Sequence, residues 1–188
     1  MNDYLNDFRD FLQHIRDAEA DTLQQKRRMI LANFLRRTSL EFSGQADLVF
    51  SPALTSPEIR YNVSFGNKTT SYIGGEAVRA YFDKTHQGST AAIAIDQHLA
   101  VADWGLTSHS VDVRFVTGAQ LADEGRNISP SNDIFYAEHT PMVLVWYYDD
   151  NGALREENNM LSSSTLKKIE PEAVPTPYDI AAVARSFL

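Results

Sequence analysis

The first 45 residues place apolar and polar side chains with the period of an α-helix. Apolar residues recur at spacings of one, three and four between Tyr4 and Ile15, which predicts an amphipathic helix. A second helix is predicted over residues 22–42, with Leu23 and Phe34 turned inwards and Gly44 as its stop signal. The first helix forms an N-terminal arm, residues 1–20, which either covers its own core or packs on a partner subunit.

The pattern then changes to alternation with a period of two, which is typical of β-strands. Every second residue from Ile59 to Phe65 is apolar, which predicts a half-buried strand. Gly66-Asn67 is a two-residue hairpin signal, and the returning strand ends at Gly74-Gly75, after which helical spacing resumes.

Residues 117–141 contain several Gly, Ser, Asn and Pro residues, which predicts a long loop. Long loops in compact domains often form lids or interfaces. Because this segment also carries apolar groups, we expect Phe135 or Tyr136 to contact a ligand at a pocket mouth, or the segment to pack on another subunit. A proline-rich tail, 171–188, ends in a short helix, and we expect one domain over residues 1–188.

Composition narrows the choice of partners and chemistry. The chain has 188 residues, 43% of them hydrophobic, and a formal net charge of −8. An acidic surface disfavours nucleic acid and anionic membranes as partners. Without cysteine, disulfides and thiolate chemistry are excluded. The acidic first residues lack the apolar core of a signal peptide, and no run is long enough to span a bilayer, so we expect a cytoplasmic protein.

A hairpin that leads directly into a short amphipathic helix is a specific arrangement. With the helix sequence Gly75-Glu76-Ala77-Val78-Arg79, the strand pair Gln97-His98 and the closing hairpin from Trp146 to Gly152, it resembles the SnoaL-like family of the NTF2-like superfamily. The resemblance implies an α+β cone, in which helices cover a strongly curved, mostly antiparallel sheet, here with an extra N-terminal helix. It also implies further strands over residues 95–101, 106–116, 142–148 and 154–161. Because the convex face of such a sheet needs cover, it also implies a homodimer or homotrimer.

The resemblance also implies an activity. No dinucleotide, P-loop, metalloprotease or hydrolase-elbow motif occurs, so we expect neither cofactor nor metal. Enzymes of this superfamily mostly transfer protons without cofactors, which implies a lyase that dehydrates a small apolar, aromatic substrate or cleaves it by a retro-aldol reaction. Formaldehyde release from lignin-derived dimers is one such reaction. The alternatives are a ketosteroid-isomerase-type isomerase or polyketide cyclase, and a non-catalytic ligand-binding or assembly module.

Three residues are candidates for catalysis. His98 resembles the histidine in the Gln-His pair of scytalone-dehydratase-like members, which implies a general acid/base, and imidazole suits that role near neutral pH. His109 lies on the next predicted strand, so that both rings can enter one cavity. Asp103, in the turn between those strands, can orient an imidazole. The structural alternatives are an exposed strand histidine, a satisfied core histidine and a simple turn carboxylate.

Other side chains are candidates for substrate binding. Tyr61 can donate to an oxyanion, and Trp104 offers a flat face to an aromatic ligand. Asn159 stands in a β-run, where asparagine is depleted, which favours a contact with ligand or interface. In the isomerase alternative, Asp96 or Asp103 carries the proton.

Overall fold

The computed structural model describes residues 2–86 and 91–188, and these form helices packed on one sheet. The helices are α1 (Asp3–Asp21), α2 (Gln25–Phe42), α3 (Gly75–His86), α4 (Gly118–Asp123) and α5 (Pro177–Arg185). The strands are β1 (Thr55–Phe65), β2 (Lys68–Ile73), β3 (Ala92–Ala102), β4 (Gly105–Thr117), β5 (Phe135–Tyr148), β6 (Leu154–Leu161) and β7 (Thr165–Ile169). Short 3₁₀ turns, Ala46–Phe50 and Pro171–Ala173, complete the order of elements.

The sheet is curved and mostly antiparallel, as predicted. Its strand order is β2-β1-β6-β5-β4-β3, and β7 pairs with the first part of β5. Only β1 and β6 run parallel among the described pairs. Long, bowed strands leave a concave face, and α1, α2 and α5 pack with the sheet in one continuous apolar core.

The N-terminal arm packs on its own chain. Five of the six apolar residues of the α1 stripe are buried and Tyr4 is half-buried, and the helix contacts α2 and the edge strand β3. This is the first of the two alternatives for the arm, and it follows from the burial of nearly all of the stripe within one protomer. The prediction for Leu23 is wrong, since its side chain is 89% exposed. Leu23 precedes α2, which begins at Gln25, so the helical periodicity does not include it.

The predicted loop over residues 117–141 is mostly regular structure. Thr117 and Gln120 form a capping box that begins α4, and β5 begins at Phe135. Phe135 and Tyr136 are therefore strand residues that pair with β4 and β7. The loop is shorter than predicted, since residues 124–134 alone lie outside helix and strand.

Pro141, the last residue of the predicted loop, lies inside β5. A proline inside a strand removes one ladder hydrogen bond. At Pro141, however, β5 changes its partner from β7 to β6, and the Pro141 carbonyl accepts a bond from the Ser162 N–H on that same side. The missing N–H thus lies in a gap between two partner strands, where its absence costs little stability.

The tail folds back onto the helices. Thr176 and Asp179 form a second capping box, and the apolar face of α5 is buried against α1 and α2. Arg16 of α1 lies over the Phe187 ring at 4.3 Å from its centroid, which fixes the end of the chain. None of the described helices combines the length and the apolarity needed to cross a membrane.

Candidate active site

A cavity of about 580 Å³ lies between the concave face of the sheet and the helices. Its walls are largely apolar, and a few polar groups stand among them. The apolar lining comes from Phe11 of α1, Phe34 and Phe42 of α2, Met142, Leu144 and Trp146 of β5, Leu161 of β6 and Ile180 of α5. The polar lining includes Thr38, Glu41, Tyr81, Asp112, Arg114, Glu157 and Asn159. A concave, mostly apolar space with a few convergent polar groups is typical of a small-molecule site.

Strand register brings the central polar groups together. Glu157 of β6 pairs with Tyr61 of β1 on one side and with Trp146 of β5 on the other. Directly opposed residues on neighbouring strands point to the same face. Two positions further along β6, Asn159 pairs with Leu144 and faces the cavity as well.

Glu157 is a carboxyl group enclosed in this apolar setting. Its exposed fraction is 6%, and burial raises its pKa from 4.5 to about 7. The positive charge of Arg37 and hydrogen bonds with Tyr61 and Asn159 oppose the rise, while the nearby Glu41 adds to it. A carboxyl group with a pKa near neutrality is able both to take and to return a proton at physiological pH.

A buried arginine, Arg37, lies near Glu157 and does not line the cavity. Arg37 is 2% exposed and donates to the Val49 carbonyl at 3.0 Å, to the Thr55 hydroxyl and to the Tyr61 hydroxyl at 2.8 Å. Its guanidinium also lies 5.4 Å from the centroid of the Trp146 ring. Buried charges are tolerated where they are paired and hydrogen-bonded in this way.

Three tyrosines near Glu157 remain protonated at neutral pH. Burial raises the pKa of Tyr61 and of Tyr148 well above the usual value. Burial, followed by the charge of Glu157, raises the pKa of Tyr81 to about 12. A phenol in this state can donate hydrogen bonds, so the Glu157 carboxyl group is surrounded by potential donors.

His98 and His109 meet, but on the opposite face of the sheet. They pair directly across β3 and β4 with ring centroids 5.9 Å apart, and both side chains are exposed. Neither is among the residues that line the cavity. A catalytic role for either histidine stays a prediction, because no observation tests it.

A β-bulge turns His98 outwards. Ala92 and Ala94 line the cavity, and strict alternation from them would bring His98 to the same face. The register of β3 against β4 shifts by one residue between Ile95 and His98, and Asp96 there has a φ of 54°. An extra residue in one strand reverses the facing of every side chain beyond it.

The other predicted site residues are divided between the two faces. Asp103 and Trp104 lie in the β3–β4 turn, where Asp103 accepts a bond from Arg27 Nε at 2.7 Å and Trp104 packs on Tyr147. Both are exposed, and neither lines the cavity. Asp96, the alternative base, is exposed too.

Tyr61 and Asn159 are the predicted residues that the structure brings to the site. Asn159 lines the cavity, and Tyr61 is paired with Glu157 across β1 and β6. Phe135 and Tyr136 do not line the cavity, since they lie in the part of β5 that pairs with β7. Their contact with a ligand stays a prediction.

The sequence contained weak signals for the residues that were missed. Glu157 shares the strand face of Asn159, which the rarity of asparagine in strands had already marked. Arg37 lies three residues after Phe34 on an apolar helix face, where a cation is unusual unless it has buried partners. Within residues 2–86 and 91–188, no three His, Asp or Glu side chains are arranged to hold a metal ion.

Arg114 lines the cavity, but its guanidinium is hydrogen-bonded to carboxylates that do not line it. It forms two hydrogen bonds with Glu124, at 2.6 and 2.7 Å, and two with Glu138, at 3.0 and 2.6 Å. Arg126 also binds Glu138. This network ties β4 and β5 to the end of α4, which suits a structural role for Arg114.

Protonation of Glu157 should be visible in folding stability. A carboxyl group with a raised folded pKa stabilises the fold fully below its unfolded pKa of 4.5, and this contribution is lost as the pH rises through about 7. A shift of this size corresponds to about 3 kcal/mol. We expect wild type to lose about 3 kcal/mol of unfolding free energy relative to Glu157→Gln between pH 4.5 and pH 8.

Urea unfolding of both proteins at several pH values measures this difference. Other carboxyl groups titrate in both proteins, so the comparison isolates Glu157. Parallel pH profiles of the two unfolding free energies would show that the carboxyl group has an ordinary pKa.

Comparison with known proteins supports the fold. The sequence matches no family model, and no curated protein matches it. A proposed polyketide cyclase from Xanthomonas campestris pv. campestris has a TM-score of 0.56 and 13% identity, covering 72% of this chain and 92% of that one. A proposed SnoaL-like polyketide cyclase from Shewanella putrefaciens has a TM-score of 0.54 and 13% identity, with coverages of 74% and 91%.

A third similar structure is that of a protein that is not described as a polyketide cyclase. A phenazine biosynthesis-related protein from Pseudomonas aeruginosa has a TM-score of 0.52 and 8% identity, covering 81% of this chain and 96% of that one. Identities this low show the fold alone. These likenesses confirm the fold predicted from the sequence, an α+β cone with a curved, mostly antiparallel sheet.

Proposed function

We propose that this chain, which has the SnoaL-like, NTF2-like fold, is a cofactor-independent enzyme that transfers protons on a small, largely apolar aromatic substrate. A fold of this kind serves both binding and catalysis, so the site carries the argument and not the fold. The observation that carries the proposal is Glu157, a buried carboxyl group with a pKa of about 7 that lines the cavity. Glu157 takes the role of acid/base that the sequence favoured for His98.

The finer proposal is a lyase acting on a β-hydroxy carbonyl compound. In dehydration, the Glu157 carboxylate takes the proton from the carbon beside the carbonyl, the C–H electrons form the double bond, and the β-hydroxyl leaves with that proton as water. In retro-aldol cleavage, Glu157 takes the hydroxyl proton, the C–C bond breaks to an aldehyde and an enolate, and the enolate receives the proton. Formaldehyde is the aldehyde when the hydroxyl group is on a terminal carbon.

The lining of the cavity suits both reactions. One carboxyl group that titrates near neutrality can take and return the same proton. Aromatic side chains, among them Phe34 packed edge-on against Trp146 at 4.7 Å between centroids, suit an aromatic ring in the substrate. Asn159 and Tyr81 also line the cavity and can donate to an oxygen atom that gains charge.

Proton exchange tests the proposal before the natural substrate is known. We expect the protein to exchange the protons beside the carbonyl of an aromatic β-hydroxy ketone with deuterium from D2O, detected by proton NMR. The same spectra report water loss or aldehyde release. An absence of both exchange and product across a panel of aryl β-hydroxy ketones, with binding detected, would favour the ligand-binding module.

A second candidate is an isomerase of the ketosteroid type or a polyketide cyclase. One observation favours it, namely that the base in the cavity is a carboxylate with a tyrosine partner and not an imidazole. Substrate returned with unchanged mass but altered bonding would identify this candidate.

Assembly as a homodimer or homotrimer stays a prediction.

A further inference from the structure

Arg37 is fixed from several sides in the interior behind Glu157. Its Nη1 atom donates to the Val49 carbonyl and to Thr55, and its Nη2 atom donates to the Tyr61 hydroxyl at 2.8 Å. Thr55 in turn donates to the same Val49 carbonyl, so the guanidinium is held against the turn that precedes β1. Arg37 itself is not among the residues that line the cavity.

This arrangement sets the direction of the hydrogen bond between Tyr61 and Glu157. A guanidinium can only donate, so the Tyr61 oxygen accepts from Arg37. The hydroxyl hydrogen of Tyr61 is then free to point to the Glu157 carboxylate, which is paired with Tyr61 across β1 and β6 and acts on its pKa. The order of donation is therefore from Arg37 to Tyr61 and from Tyr61 to the Glu157 carboxylate.

We propose that Arg37 is a positioning residue, which orients the Tyr61 hydroxyl as a donor to Glu157 and so keeps that carboxyl group able to accept a proton from a molecule in the cavity. This inference rests on the proposed function of Glu157. Arg37 acts through Tyr61, since it has no direct access to the cavity. A neutral side chain of similar size at this position would leave the Tyr61 hydroxyl free to accept from a protonated Glu157.

The surroundings of Glu157 show why such support is needed. The groups that act on it or lie around it are Arg37 and Glu41 from α2, Tyr81 from α3, Tyr61 from β1, Tyr148 and Trp146 from β5 and Asn159 from β6. Burial and Glu41 disfavour the charged carboxylate. Arg37 is the one cation among these groups, and its charge opposes both effects.

Titration of Glu157 in three variants tests the order of donation without any substrate. The protein is labelled with 13C at glutamate side-chain carboxyl groups, and the Glu157 resonance is assigned by its absence in Glu157→Gln. Tyr61→Phe removes the donor, and we expect the Glu157 pKa to rise by about 1 unit or more. Tyr148→Phe is the matched control, because among described residues the Tyr148 hydroxyl has no hydrogen-bond partner, and we expect no shift.

The third variant addresses Arg37 directly. Arg37→Lys keeps the charge but cannot hold the same three acceptors, so we expect the Glu157 pKa to rise. If Arg37→Lys does not fold, Thr55→Val, which removes one acceptor of the guanidinium, gives the same test with a smaller expected rise.

The outcomes separate this inference from the proposed function. A lower or unchanged Glu157 pKa in Tyr61→Phe would overturn the positioning role, because it would show that Tyr61 accepts from Glu157 or does not interact with it. Glu157 could still be the base in that case. Conversely, the expected rise together with full activity of Glu157→Gln would keep the positioning role and reject the proposed function.

Discussion

Glu157→Gln is expected to lower the rate of proton exchange and turnover by about 10²–10⁴, the usual effect of removing a general base. Glutamine has nearly the same shape as a protonated glutamate, so the fold should persist. In wild type the reaction needs the carboxylate, so the rate at limiting substrate should fall as the pH decreases below about 7. That dependence should be absent from the residual activity of the variant.

Two controls sharpen this experiment. Glu156→Gln changes the neighbouring carboxyl group on the other face of β6, where it accepts from Asn62 and Asn158, and should leave the rate unchanged. His98→Gln tests the prediction made from the sequence, and we expect it to retain activity because His98 is exposed outside the cavity. Loss of activity in His98→Gln with full activity in Glu157→Gln would reverse the assignment.

Gly105→Ala is expected to lower the free energy of unfolding by about 3 kcal/mol, at the upper end of the range for added core volume. A Cβ at this position would lie 1.9 Å from the Trp146 carbonyl oxygen and 2.9 Å from its carbon. These are backbone atoms of β5, so neither can move aside alone. The strands β4 and β5 would have to separate beside Trp146, in the wall of the cavity.

Thermal unfolding followed by circular dichroism measures the effect. For a chain of this length the expected loss corresponds to a decrease in Tm of roughly 6–12 °C. Gly75→Ala is the matched control, because a Cβ there meets only the Pro57 carbonyl oxygen at 3.9 Å and we expect little change. Equal Tm values for the two variants would show that β4 and β5 approach less closely than described.

Local patterns in the sequence were enough to predict most of the elements. The apolar stripe of α1 is buried as a helix face, and the alternation from Ile59 to Phe65 is a strand of a hairpin with β2. Asn159 was marked by its rarity in strands and lines the cavity. These features depend on the period of side chains along a single element, which the sequence shows directly.

Other features depend on relations between elements. Pro141 is tolerated in β5 only because β5 changes partners there, which no single segment reveals. His98 faces outwards because β3 has one more residue than β4 within their ladder, and a bulge has no reliable sequence signal. The bulge therefore places His98 outside the cavity, although Ala92 and Ala94 of the same strand line it.

The candidate site also depends on relations between elements. The sequence alone was enough to predict an α+β cone and the amphipathic helix α1, and it showed an acidic composition without cysteine. Only the tertiary structure decided that Glu157, Tyr61 and Arg37, which lie on β6, β1 and α2, share one interior. The physical reason is that the pKa of a carboxyl group depends on burial and on neighbouring charges, and both arise when distant segments pack together.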